Sequence, residues 1–232
     1  MVRSCLAAVR DGVYLFPEFL PAAVACFSGR EYDATKELDS FLEVINVPPG
    51  RFQTVDQVHG NKVLLIDVSS RSEIDRADGL VTKEKQLALV IRTADCVPVF
   101  FLDPEVPAVG ICHGGWRGIK AGIIFRILDI FRTQFLSNFR SMRVAMGPSL
   151  CEQCYEVGEE FQNYFPNFVK EKGGRYFFSL RGAVRNQLLE EGVPEPSISI
   201  SDFCTSCAVD RFFSARREGA GTGRFPSAIM LR

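Results

Sequence analysis

Short apolar or alternating runs, each ended by Gly, Pro, Asp or Asn, recur along the whole chain. Such runs between turn-forming residues are typical of β-strands, because alternate side chains of a strand face opposite sides. The pattern predicts nine strands, at residues 13–16, 22–27, 52–56, 63–67, 87–91, 97–102, 108–112, 143–146 and 198–201.

Apolar residues at helical spacing predict three helices. Asp33 is a suitable N-cap for the first, which continues to residue 45. The second spans residues 118–136, and the third spans residues 180–190 with Gly192 behind it as a stop signal. Neighbouring strands interrupted by only three sizeable helices favour an α+β fold over a regular βαβ alternation.

Composition limits the partners of this chain. It has 232 residues, 24% of them charged, with a net charge of -1. Without a basic excess we expect neither a nucleic-acid polymer nor a membrane as a partner. No apolar run approaches the roughly 20 residues that span a bilayer, and no segment has the pattern of a signal peptide. No linker divides residues 1–232, so we expect a single domain. Eight cysteines in such a chain favour reduced thiols or metal ligands in a cytoplasmic protein.

The chain contains only two histidines, and both follow a predicted strand and lie next to glycine. They are His59 and His113, and Cys96 occupies a similar place between two apolar runs. Two imidazoles and one thiolate suit Zn²⁺, and three protein ligands with an open fourth position are typical of catalytic zinc. The same residues are also compatible with polar groups satisfied in turns and a small buried cysteine.

Glycines and an arginine follow the second histidine, in the segment HGGWRG before a predicted helix. Backbone N–H groups at a helix start favour an anion, and Arg117 adds a guanidinium suited to phosphate or carboxylate. Ordinary turn formation explains the glycines equally well. Asp95, next to Cys96, is a candidate for orienting a metal ligand.

Four cysteines form two Cys-x-x-Cys pairs, Cys151/Cys154 and Cys204/Cys207. Together they have the composition of a four-thiolate structural zinc site. However, the 49 residues from 155 to 203 separate the pairs, and the surroundings of the two pairs differ. We therefore expect buried or surface thiols without a metal at both pairs.

Seven short segments occur in a fixed order along most of the chain. They are QVHG at 57–60, ADGLVT at 77–82, TADC at 93–96, HGGWRG at 113–118, GPS at 147–149, CYEVG at 154–158 and FFS…RR…TGR between 212 and 224. The set resembles the laccase-domain family, also called polyphenol-oxidase-like or YfiH-like, whose members are regarded as purine nucleoside phosphorylases. The resemblance extends from about residue 51 to residue 232, and seven ordered segments are far more specific than any one alone.

The resemblance implies a metal held by His59, Cys96 and His113, the residues that ligand chemistry also selects. It implies an α+β fold of mixed β-sheets flanked by helices. It further implies a zinc-dependent purine nucleoside phosphorylase acting on adenosine, inosine and methylthioadenosine, with adenosine deaminase activity and Cu²⁺ as a second candidate metal. The expected partners are a purine nucleoside and phosphate, and a homodimer is left open.

Three departures from the family pattern concern the substrate more than the metal, and one of them is Ser179, which stands where the family usually has aspartate at a helix entry. Only Ser28, Gly29 and Arg30 correspond to the family's opening loop, and Arg30 and Arg117 are the candidate substrate contacts. Ala215 stands where the family usually has tyrosine.

Three other interpretations remain open. Without a metal, Cys96 as nucleophile and His113 as base would hydrolyse an amide or ester, such as a peptidoglycan precursor. The family's older label is copper-dependent polyphenol oxidase, but two histidines cannot supply both a blue-copper centre and a copper cluster. The third is a scaffold protein with a structural zinc on the paired cysteines.

Overall fold

Two six-stranded β-sheets and one three-stranded sheet form the framework of the protein. The computed structural model describes residues 7–9, 12–67 and 75–232. The first sheet has the order β1 (Ala7–Val9), β2 (Val13–Leu15), β3 (Ala23–Ser28), β15 (Phe225–Leu231), β7 (Ala88–Thr93) and β4 (Phe52–Gln53). The second has the order β14 (Ile198–Ile200), β10 (Arg143–Met146), β8 (Val97–Asp103), β9 (Ala108–Gly114), β6 (Gly79–Thr82) and β5 (Val63–Ile66). The third has the order β11 (Glu156–Val157), β13 (Arg175–Phe178) and β12 (Val169–Lys172).

Helices accompany the sheets and complete the architecture. Those in the described part are α1 (Leu38–Val44), α2 (Trp116–Lys120), α3 (Ile123–Phe135), α4 (Phe161–Tyr164), α5 (Leu180–Glu190) and α6 (Ala215–Glu218). Most strand pairs are antiparallel, but β4–β7, β5–β6 and β10–β14 are parallel. The mixed sheets with flanking helices confirm the predicted α+β fold. No helix in these ranges is both long and apolar enough to cross a membrane.

Burial on both faces explains why the central strands are apolar along their whole length. Successive side chains of a strand point to opposite faces of its sheet. In β8, Phe100 packs in the core between the two large sheets, together with Phe27 of the first sheet. Its neighbour Phe101 packs on the opposite face, against Ile127 and Phe131 of α3. Each such buried side chain contributes about 1.5–3 kcal/mol of hydrophobic stabilisation.

A third core covers the outer face of the first sheet. There Val24 and Val90 pack against Phe41 and Leu42 of α1. The layers of the protein are therefore α1, the first sheet, the second sheet, and a last layer of α3 and α5. Helix α5 belongs to this last layer because its Val184 packs in the same hydrophobic core as the buried residues of α3.

All nine predicted strands are present, with ends shifted by a few residues. The helix predicted over residues 118–136 is instead two helices, because Gly122 adopts a left-handed φ of 83° between them. The predicted helix start at Asp33 is wrong, since α1 begins at Leu38. The Asp33 carboxylate accepts the backbone N–H groups of Thr35 at 3.1 Å and Arg224 at 3.3 Å, which stabilises a turn.

Candidate metal centre

Cys96 and His113 lie at the same end of neighbouring strands. Cys96 is in the connection between β7 of the first sheet and β8 of the second, and His113 is the penultimate residue of β9. The register pairs Pro98 of β8 with His113. His59 lies on the loop that follows β4. The ligand atoms of the three side chains lie within 4.8 Å of one another, so the fold brings together the three residues selected from the sequence.

A buried carboxylate, Asp78, holds both histidines in position. Its Oδ1 accepts hydrogen bonds from Nδ1 of His113 at 2.8 Å and from the backbone N–H of His59 at 2.9 Å. Its Oδ2 accepts the backbone N–H of Gly60 at 2.7 Å. Because Nδ1 of His113 is engaged, Nε2 is the nitrogen left for a metal.

Asp95 has a different role from the one predicted. Its Oδ1 accepts the Thr205 hydroxyl at 2.6 Å, and its Oδ2 accepts the backbone N–H of Arg216 at 2.6 Å. Its carboxylate therefore ties the Cys96 connection to the C-terminal segment, and the ligand-orienting carboxylate is Asp78. The φ angles of 92° for Asp95 and 59° for His59 are left-handed, and strained backbone of this kind is concentrated at functional sites.

Charges within the cluster favour a thiolate beside an imidazolium. Burial acts to raise the pKa of Cys96, but the charge of His113 and hydrogen bonds from both imidazoles outweigh burial and lower this pKa to about 6. Burial acts to lower the pKa of His113, but the charge of Cys96 and the hydrogen bond to Asp78 raise it to about 9. Burial also opposes ionisation of Asp78, yet its hydrogen bonds to His113 and the backbone hold its pKa below the usual value. The thiolate is the form of cysteine that binds metals and attacks electrophiles.

Close packing explains the glycines that follow His113. A Cβ atom on Gly115 would lie 3.1 Å from Sγ of Cys96 and 3.3 Å from Cδ2 of His59. A Cβ atom on Gly118 would lie 2.7 Å from the carbonyl oxygen of Gly60. Helix α2 can therefore approach the three ligands only because these positions have no side chain.

The donor set fits a divalent metal ion such as zinc or copper, which both accept imidazole and thiolate ligands. His113 is buried, Cys96 is half-buried and His59 is exposed. The set is therefore open on the His59 side, where a further ligand has access. Three protein ligands with an accessible position are typical of a catalytic metal rather than a structural one.

The three ligands line a cavity of about 510 Å³, a volume within the usual range for small-molecule sites. Arg92, Arg216 and Arg224 bring positive charge to its lining. Thr93 and Tyr155 contribute hydroxyl groups to the same lining. The cavity therefore combines a metal-ligand set with groups that suit an anionic or hydroxylated ligand.

Arg92 is the cavity cation best placed to meet an anion. Gln57 fixes its backbone, accepting the N–H of Arg92 and donating to its carbonyl oxygen, each at 2.8 Å. The guanidinium is half-buried, and no hydrogen bond or ion pair from residues 12–67 or 75–232 engages it. By contrast, the guanidinium of Arg216 donates to the carbonyl oxygen of Glu156 at 2.8 Å, and that of Arg224 donates to carbonyls of its own loop.

The two residues of the cavity lining that carry hydroxyl groups are both buried. The Thr93 hydroxyl is fully buried and has no hydrogen-bond partner within the described ranges. Burial raises the pKa of Tyr155, so its hydroxyl stays protonated and is a hydrogen-bond donor.

The two arginines predicted as substrate contacts lie outside the cavity lining. Arg30 donates to the carbonyl oxygen of Val209 at 2.8 Å and forms an ion pair with Glu218 at 3.5 Å. Arg117 is exposed on α2, with its guanidinium carbon 4.4 Å from the ring centroid of Trp116.

The structure brings the two Cys-x-x-Cys pairs together, although their separation along the chain argued against a common site. The sulfur atoms of Cys151, Cys154, Cys204 and Cys207 all lie within 4.8 Å of one another. The long separation along the chain is bridged because β10 and β14, which precede the two pairs, are parallel neighbours.

Several known proteins are similar to this chain in sequence and in fold. A family model described as multi-copper polyphenol oxidoreductase laccase matches residues 29–232. The chain is 33% identical to purine nucleoside phosphorylase YlmD of Geobacillus stearothermophilus over 217 residues, which cover 86% of this chain and 79% of that protein. It is 34% identical to adenosine deaminase RL5, from an unknown prokaryotic organism, over 185 residues that cover 72% and 70% of the two chains. The crystal structure of YlmD from Geobacillus stearothermophilus superposes with a TM-score of 0.92 at 28% identity, covering 99% of this chain and 100% of that one.

Proposed function

We propose that this chain, which belongs to the multi-copper polyphenol oxidoreductase laccase family, is a zinc-dependent purine nucleoside phosphorylase with adenosine deaminase activity. The names of the two curated relatives support a purine nucleoside as the substrate. The observation that carries the proposal is the set of His59, Cys96 and His113 in the lining of a cavity that also contains Arg92, whose guanidinium no described residue engages. Adenosine, inosine and methylthioadenosine are the proposed nucleosides, and Cu²⁺ is the alternative metal.

Phosphorolysis replaces the glycosidic bond of the nucleoside with a bond to phosphate. A phosphate oxygen attacks C1′ of the ribose, the bond from C1′ to the purine breaks, and the purine leaves with the electron pair and takes up a proton. Arg92 binds and orients the phosphate, because a guanidinium suits phosphate oxygens in a partly buried cavity.

The ligand set explains why the same cavity supports deamination. In that reaction water supplies the oxygen that replaces the amino group at purine C6, and ammonia is released. When bound, the metal supplies Lewis-acid chemistry at this position. Asp78 engages Nδ1 of His113 and so leaves Nε2 as the nitrogen that would hold the metal, and His59 forms the exposed side of the set.

One observation favours a second candidate function. The site contains the three groups found in cysteine hydrolases, a nucleophile, a base and a carboxylate that orients the base. Here they would be Cys96, His113 and Asp78. Such an enzyme would attack the carbonyl carbon of an amide or ester with the Cys96 sulfur, release the amine or alcohol, and hydrolyse the thioester with water. This mechanism needs no metal, so a chelator distinguishes it from the proposed one.

The test is incubation of the zinc-loaded protein with adenosine, inosine and methylthioadenosine, each with and without phosphate, followed by chromatography. We expect free base only in the presence of phosphate, and no product from Cys96→Ala or His113→Ala. Cys26→Ala is the matched control, because Cys26 is a buried free thiol in the separate core beneath α1. It should retain the activity.

Inosine formed from adenosine without phosphate would report deamination. A zinc-loaded protein that converts none of these nucleosides contradicts the proposal. Hydrolysis of an amide or ester that survives removal of the metal would support the cysteine hydrolase instead.

A further inference from the structure

We infer that the protein binds a second metal ion, a structural Zn²⁺ held by Cys151, Cys154, Cys204 and Cys207. All four sulfur atoms lie within 4.8 Å of one another. Four thiolates are one of the ligand sets typical of closed, structural zinc sites. This cluster is separate from His59, Cys96 and His113 and shares no ligand with them.

The spacing of the sulfur atoms fits one ion rather than a disulfide or an iron–sulfur cluster. In a tetrahedral site with Zn–S bonds of about 2.3 Å, the sulfurs are roughly 3.8 Å apart. The Sγ atoms of Cys154 and Cys207 are 3.4 Å apart, which is too far for a bond between them. An iron–sulfur cluster distributes its cysteines over several iron atoms and would separate some sulfurs further.

The backbone creates this arrangement. Strands β10 and β14 run parallel, with Met146 paired with Ile200, so the segments that follow them leave the sheet side by side. Ser149 and Cys204 form an isolated parallel bridge between these segments. The backbone N–H of Cys151 donates to Sγ of Cys204 at 3.3 Å, and such N–H groups stabilise thiolate ligands.

A guanidinium of α5 supports both segments and compensates negative charge. Arg181 donates from Nε to the Ser149 hydroxyl at 2.7 Å and from Nη2 to the Ser149 carbonyl at 2.9 Å. It also donates to the carbonyl oxygens of Ser201 and Phe203. Four thiolates around one Zn²⁺ carry a net negative charge, and a nearby fixed cation lowers the cost of burying it.

The second metal would stabilise one wall of the cavity. Leu150, next to Cys151, lines the cavity and donates its N–H to the carbonyl oxygen of Asp95 at 3.0 Å. Thr205, next to Cys204, donates its hydroxyl to the carboxylate of the same Asp95. The four-cysteine site therefore positions the connection that carries Cys96 without contacting the substrate.

Metal analysis of purified protein tests the inference independently of any enzymatic activity. We expect two zinc ions per wild-type chain by elemental mass spectrometry after purification under reducing conditions. Cys96→Ala should keep the ion of the four-cysteine site, and Cys154→Ser with Cys207→Ser should keep only the other. Cys26→Ala, which removes a free thiol outside both clusters, should keep both. A double variant with the same zinc content as the wild type would overturn the inference.

A second measurement applies if the double variant does not fold. The Cys96→Ala protein is exchanged into Co²⁺, and a tetrahedral four-thiolate site should give strong sulfur-to-cobalt charge-transfer absorption. Absence of this absorption, or a disulfide between Cys154 and Cys207 in the reduced preparation, would reject the site. Neither result depends on nucleoside turnover, so failure of this inference is distinguishable from failure of the proposed function.

Discussion

Asp78 is the residue whose replacement tests the ligand geometry most directly. Its Oδ1 accepts from His113 and the His59 backbone, and its Oδ2 accepts from the Gly60 backbone. In Asp78→Asn one of these oxygens becomes an amide nitrogen, which donates and cannot accept. If that nitrogen faces His113, the imidazole must leave Nδ1 unprotonated and protonate Nε2, so Nε2 no longer binds a metal. If the amide nitrogen instead faces the backbone N–H of Gly60, two donors oppose each other and the loop that carries His59 is displaced.

The expected loss of metal affinity is about 10–100-fold, the range typical for removing the carboxylate partner of a metal-binding histidine. This loss corresponds to about 1.4–2.8 kcal/mol, because each tenfold change in affinity is about 1.4 kcal/mol. One hydrogen bond to a charged group contributes about 1.5–3 kcal/mol. Loss of the 2.8 Å bond to His113 alone therefore accounts for most of the effect.

The assay is competition for zinc with a chromophoric chelator, with Tm measured in parallel. Asp103→Asn is the matched control, because Asp103 is also fully buried and accepts the backbone N–H groups of Glu105 and Val106 at the opposite end of β8. We expect the control to lower Tm without changing zinc affinity. An Asp78→Asn protein that binds zinc as tightly as the wild type would refute the role assigned to this carboxylate.

Two further substitutions test the packing and the charge of the cavity. Gly115→Ala should weaken zinc binding less than Asp78→Asn does, because the exposed His59 can move away from a Cβ that lies 3.3 Å from its ring. Gly221→Ala is the control and should not change zinc binding, because the space around Gly221 is open. Equal zinc affinities in Gly115→Ala and Gly221→Ala would contradict the predicted crowding. Arg92→Gln should raise the KM for phosphate about tenfold or more, with a smaller effect on kcat. Arg126→Gln, at an exposed position of α3, is its control, and an unchanged KM in Arg92→Gln would rule out the assigned phosphate contact.

Strands β7, β8 and β9 were predictable as continuous apolar runs, whereas β6 and β15, which are buried to the same extent, were not predicted. Pro226 lies within β15, and proline argues against an interior strand because it has no N–H to donate. On the β7 side Pro226 faces Arg92, whose carbonyl accepts from the Gln57 side chain and therefore needs no N–H from β15. On the β3 side the paired residues begin at Ser227, so Pro226 lies beyond that ladder. No pattern in the sequence indicates that a side chain completes the pairing there.

Only the residues that are rare in the chain or that are typical metal ligands could be predicted as members of the candidate site. His59 and His113 stand out because the chain has two histidines. Asp78 and Arg92 do not, since their contacts arise from strand order and register and no short spacing links them to the ligands. The four-cysteine cluster depends in the same way on the parallel pairing of β10 with β14, which a list of predicted strands does not contain.

The origin of the three ligands has a consequence for the lifetime of the protein. His59 follows a strand of the first sheet, His113 belongs to the second, and Cys96 lies where the chain crosses between them. A metal bound by all three would act as a cross-link between the layers of the sandwich. A ligand that binds only the folded state stabilises it by about 4.1 kcal/mol at a concentration 1,000 times its Kd. Loss of such a metal would thus loosen the end of the sandwich where the cavity lies, and we expect the metal-free chain to be digested faster by proteases than the metal-loaded one.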